Sequence, residues 1–75
     1  MTTWAMRWTK AGEDRWTSLP LEGRFRLVVA PKGDGRWAWE AFARGADDPM
    51  ASGIVGSLAA AKNAAAQFLT RAGYV

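Results

Sequence analysis

Cysteine and histidine are both absent from this 75-residue chain. Without cysteine there are no disulfide staples and no thiolate metal sites. Without histidine the commonest general base and a common transition-metal ligand are missing as well. Acidic residues are few, seven against ten lysines and arginines, and four of them form the neighbouring pairs Glu13-Asp14 and Asp47-Asp48. Adjacent carboxylates in polar turns serve turn formation and solubility, and nothing near them supplies a nucleophile or a metal-ligand set. The chain is therefore expected to be non-catalytic, with no cofactor and no metal. Long apolar runs are also lacking, and the start Met1-Thr2-Thr3-Trp4 has no basic-then-apolar layout of a signal peptide. The expectation is a cytoplasmic protein with no membrane partner.

What is present is an ordinary globular composition, 49% hydrophobic and 23% charged, unlike the low-hydrophobicity profile of a disordered chain. A chain of this length has room for one core, so residues 1–75 are read as a single domain. Five tryptophans are the means available for packing it. The net charge of +3 favours an acidic partner only where the basic residues share a face.

Residues 58–72 carry the clearest periodicity. Leu58, Ala61, Ala65, Phe68, Leu69 and Ala72 recur on one face of an α-helix, expected to pack on a sheet. Ser57 stands at the N-cap position, Gly73 at the C-terminal cap, and Tyr74 where it would pack back on Leu69 in a Schellman ending. Lys62, Asn63, Gln67 and Thr70 fall on the outer face, read as solvated.

Upstream, residues 24–31 and 36–44 are β-rich runs joined by Lys32-Gly33-Asp34-Gly35, a hairpin signal. Alternation turns Phe25, Leu27 and Val29 to one side, and Trp37, Trp39 and Ala41 likewise. Bringing both sets to the same side requires pairing of equal parity. A three-residue loop, Gly33 to Gly35 with Gly35 left-handed in a bulge, achieves this, whereas a two-residue loop would send one set to solvent. Residues 3–9 alternate Trp4, Met6 and Trp8 against polar neighbours, and residues 15–19 and 51–55 are shorter strand candidates. The fold class is thus α+β: an antiparallel β-sheet of three to five strands, with one C-terminal helix packed on one face.

On the other face this register sets Arg24 across from Arg44 and Arg26 across from Phe42, with Lys32 and Arg36 at the turn end. Like charges placed opposite one another are unfavourable in a sheet. Arginine beside exposed apolar groups is also what protein interfaces favour and what a phosphate-contacting ribbon needs. The candidate partner-binding residues are therefore Arg24, Arg26, Lys32, Arg36, Phe42 and Arg44, around Val28 and with Glu40 among them. The competing reading is that long arginines cover apolar surface and keep an open sheet soluble. Residues 53–57 form a second, weaker anion candidate, better explained as a β-to-α junction with a serine cap because no lysine or arginine accompanies them.

The run Gly35-Arg36-Trp37-Ala38-Trp39-Glu40 in a hairpin, followed by Ser57-Leu58 opening an alanine-rich helix, resembles the sheet-plus-helix DNA-binding modules of the AP2 and integrase N-terminal kind. That resemblance implies that Arg24, Arg26, Arg36 and Arg44 lie on groove-contacting strands. Here, however, Trp37 and Trp39 fall on the helix side and Glu40 interrupts the basic face. In size and general style the whole chain is also similar to phage and mobile-element inhibitors of the anti-CRISPR type. This second resemblance implies stoichiometric occlusion of a host protein complex that handles nucleic acid, such as a CRISPR effector. The expected function is accordingly a protein-binding inhibitor or adaptor; the alternative is a nucleic-acid-binding module using a basic β-ribbon. An open sheet edge allows either a monomer or a homodimer.

Overall fold

In the computed structural model, which describes residues 7–12 and 14–74, the C-terminal helix runs over Leu58–Arg71. Its start is held by Ser57, whose extended backbone lets its Oγ accept from the Ala60 N–H at 3.1 Å. Its end is a full Schellman motif: the Tyr74 N–H donates to the Leu69 carbonyl at 3.0 Å and the Gly73 N–H to the Thr70 carbonyl at 3.1 Å, with Gly73 at φ +84°. Tyr74, expected to pack back on Leu69, makes its aromatic contacts with Phe25 and Phe68. Its ring reaches the sheet, 4.6 Å from Phe25 and 6.4 Å from Phe68 between centroids. The cap thereby fastens the last turn to the sheet.

Among the described residues five strands precede this helix: β1 (Thr9–Lys10), β2 (Trp16–Ser18), β3 (Phe25–Gly33), β4 (Arg36–Ala43) and β5 (Ala51–Val55). A single helical turn, α1 (Pro20–Gly23), joins β2 to β3, and the terminal helix is α2 (Leu58–Arg71). The sheet is an antiparallel meander in the order β1-β2-β3-β4-β5, with α2 lying across β3, β4 and β5. This is the expected α+β architecture. The expected strand at residues 3–9 lies mostly outside the described residues, and the described strand at that end is Thr9–Lys10. The α1 turn was not foreseen from the sequence: directly after the strand candidate at residues 15–19, Pro20 opens a helical turn, where a residue without an N–H is tolerated.

The parity argument for the central hairpin holds: Leu27 faces Ala41, Val29 faces Trp39 and Arg26 faces Phe42. The turn that produces it differs from expectation. Asp34 and Gly35 alone form the loop, with φ of +54° and +75°, the positive values a type I′ turn needs. The register then slips by one residue between Pro31 and Gly33, leaving Lys32 as the extra residue of a bulge. A two-residue turn by itself would have turned one strand's apolar set to solvent, and the bulge restores it.

The core forms where α2 meets β3 and β4. Leu27, Val29, Ala41, Ala61, Ala65 and Leu69 are fully buried and Phe25 nearly so, while Trp8, Leu21, Trp39, Ala51 and Phe68 pack around the cluster. Alanines at three of these positions let helix and sheet approach closely. Ala72, expected on the buried face, is exposed, because the helix ends there and the cap turns the chain away. Lys62 is another departure: it is half-buried, with its ammonium 4.1 Å from the Trp16 ring centroid and 5.7 Å from that of Trp8. Its aliphatic stem covers apolar surface while the charge lies against aromatic faces.

Trp39 depends on a missing side chain. A Cβ at Gly53, its cross-strand partner, would lie 2.5 Å from Trp39 Nε1. Gly53→Val is therefore expected to expel the indole from its seat and cost about 1–3 kcal/mol, seen as a lower urea midpoint and altered tryptophan fluorescence. Ser57→Ala should cost about 1 kcal/mol through the lost cap, measured by thermal melting, with fluorescence unchanged.

Candidate partner-binding face

The helix covers one face of the sheet, and pleat alternation decides what the other presents. Arg26, Val28 and Ala30 of β3, Arg36, Ala38, Glu40 and Phe42 of β4, and Ser52 and Ile54 of β5 all point away from α2. Thr17, paired with Val28, extends this face onto β2.

The six residues singled out in the sequence are not gathered around Phe42. Arg24 and Arg44 stand together at one end, where the Arg44 N–H donates to the Arg24 carbonyl at 2.9 Å. Lys32 and Arg36 stand at the opposite end, beside the Asp34-Gly35 turn. At about 3.3 Å per residue the two ends are roughly 25 Å apart. Arg26 lies between them with its guanidinium carbon 4.4 Å from the centroid of the Phe42 ring. Arg24, Arg26, Lys32, Arg36 and Arg44 are all exposed.

One expectation needs correction. Phe42 and Val28 are not exposed groups framed by arginines; they retain only 8% and 9% of their accessible surface. Arg26 stacks on Phe42, and the strand neighbours close around both, so the middle of the face is a packed floor rather than an apolar patch. Above that floor is a shallow depression of about 130 Å³, floored by the small side chains of Ala30 and Ala38 and rimmed by Arg15, Arg26 and Glu40.

Arg15 was not among the residues chosen from the sequence. The signal was available only through pairing: Trp16 faces Val29 of the core, which turns its neighbour Arg15 to the open side. Placing it needs the β2–β3 register, a contact between segments separated by α1. Ile54, 53% exposed on β5, was missed for the same reason.

The two basic ends, some 25 Å apart, cannot converge together on one small ligand, and Glu40 places a carboxylate in the interior of the strip between them. The other anion candidate is already occupied by its own chain: the Ser57 hydroxyl serves the first turn of α2. No helix among the described residues is long and apolar enough to cross a membrane.

The stacking of Arg26 on Phe42 predicts a measurable stability term. Arg26→Ala should lower the free energy of unfolding by about 0.5–1 kcal/mol, read from urea denaturation, and Arg26→Lys should recover only part of it because an ammonium lacks the planar stacking surface. In comparisons with known proteins, no family model, curated protein or solved structure matches this chain.

Proposed function

We propose that this chain is a non-catalytic binding protein that acts one-for-one by covering an acidic surface of a protein partner with its helix-free sheet face. The observation that carries this reading is the composition of that face: exposed arginines at both ends, a packed floor of Phe42, Val28 and alanines between them, and one carboxylate, Glu40, in the strip. Arginine contributes strongly at protein interfaces because its planar fork forms bidentate pairs with carboxylates and its stem packs on apolar atoms. The net charge of +3 would speed encounter with an acidic partner.

Two features favour a protein over a nucleic acid. A base-stacking platform requires an accessible aromatic face, and Phe42 is closed off beneath Arg26. Glu40 would meet a phosphate backbone unfavourably, whereas a protein surface can offer it a lysine or an amide. The class of partner this suits best is a host complex that itself handles nucleic acid, since such complexes present acidic as well as basic surfaces. Occlusion by a small protein needs no catalytic group.

The test compares the wild-type chain with the double variant Arg24→Glu/Arg44→Glu, immobilised and exposed to extract of the host cell. A protein captured by the wild type should bind the variant at least about tenfold more weakly, while the melting curves of the two coincide. Equal capture would remove this face from consideration. In parallel, titration with short duplex and single-stranded DNA separates the classes of partner. DNA affinity that falls with added salt yet persists near physiological ionic strength would replace the protein reading with a nucleic-acid one.

A further inference from the structure

The two edges of the sheet are treated differently by the sequence. Among the described residues one edge is β1, two residues long and carrying Lys10, with Arg7 two residues before its start. Short length and basic charge are the ordinary means of keeping an edge from pairing with another chain. The other edge is β5, five residues long and, among the described residues, paired with β4 alone. From Met50 to Ser57 the sequence has no charged residue and no proline, and β5 shows no register shift against β4. Two of the four large hydrophobic side chains most exposed among the described residues lie here, Ile54 at 53% and Met50 at 41%.

From this edge we infer that two copies of the chain pair antiparallel through β5, joining their sheets into one of ten strands. A second copy is the occupant that the charges select. Elsewhere the chain carries ten basic residues against seven acidic, so most of its surface repels its own kind. The β5 edge is neutral, and self-association there meets no like-charge opposition. The strand is also self-complementary about a two-fold axis through Gly53 and perpendicular to the sheet. That axis sets Ala51 opposite the partner's Val55 and Ser52 opposite the partner's Ile54. Parity is preserved, so apolar residues on the helix side stay on that side. Each Ile54 is then flanked by its symmetry mate on the diagonal, which removes apolar surface from water. Both α2 helices lie on one face of the joined sheet, and both arginine faces lie on the other, forming a single basic surface twice as wide. The pairing rests on the edge alone and does not require the partner proposed above.

Light scattering coupled to gel filtration tests the inference on the wild-type chain at rising concentration. The expected mass is about twice the 8.2 kDa of one copy. A mass of one copy at the highest attainable concentration overturns it. The register is tested with exposed positions only. Ser52→Lys/Ile54→Lys places lysine opposite lysine and should halve the mass, with far-ultraviolet circular dichroism unchanged. Ser52→Lys/Ile54→Glu places lysine opposite glutamate and should restore the dimer. A folded double-lysine variant that remains dimeric overturns the assignment to β5. Should that variant not fold, the wild-type mass and that of the lysine–glutamate variant decide between the same two outcomes.

Discussion

The burial of α2 against β3 and β4 is the contact on which the remainder of this small structure depends. A chain of 75 residues with no disulfide has one opportunity to remove apolar surface from water. It does so by laying Ala65 and Leu69 over Phe25, Leu27 and Ala41. Small side chains on both sides of the contact set a close approach, and larger ones fill its rim: Trp39 and Phe68, with ring centroids 6.1 Å apart, and Tyr74 beyond the C-terminal cap. The Schellman ending is part of this contact, since it directs Tyr74 onto Phe25 and secures the last turn of the helix to the sheet.

That contact imposes a register on everything beneath it. The apolar sets of β3 and β4 must reach the same face, and the tight Asp34-Gly35 turn does not deliver them there unaided. The extra residue at Lys32 reconciles turn geometry with core packing. Local preference and tertiary demand conflict over one residue, and a bulge at the hairpin end, away from the core, absorbs the difference. Gly53 answers a similar demand on β5, where the space a side chain would need is taken by the Trp39 indole.

Because one helix can cover only one face, the other is left open, and it is the face proposed above to meet a partner. Its arginines lie along the ribbon instead of clustering, and its central aromatic group is packed instead of offered. Both features suit broad contact with a macromolecule more than capture of a small ligand. The inferred pairing at the uncharged β5 edge would add a second way of meeting another chain, by backbone pairing in place of side-chain charge. Were both surfaces used, a dimer would present two arginine faces, each covering its own site, and binding to a target that carries two such sites would gain from their linkage.

Much of this was legible in the sequence. The α2 helix, its serine cap and glycine ending, the central strands, the equal-parity register and the pairings of Arg26 with Phe42 and Arg24 with Arg44 all follow from alternation, helical period and cap chemistry, which are local. The tertiary structure alone decided the rest. Whether Phe42 is exposed or packed depends on where Arg26 lies across the strand, and whether Lys62 is solvated depends on Trp8 and Trp16 from distant segments. The membership of Arg15 and Ile54 in the open face depends on strand neighbours and not on their own surroundings in the chain. Periodicity states which side of an element a residue takes. Only the packing of elements separated in sequence states what stands there to meet it, because burial is a property of pairs of surfaces and not of either one.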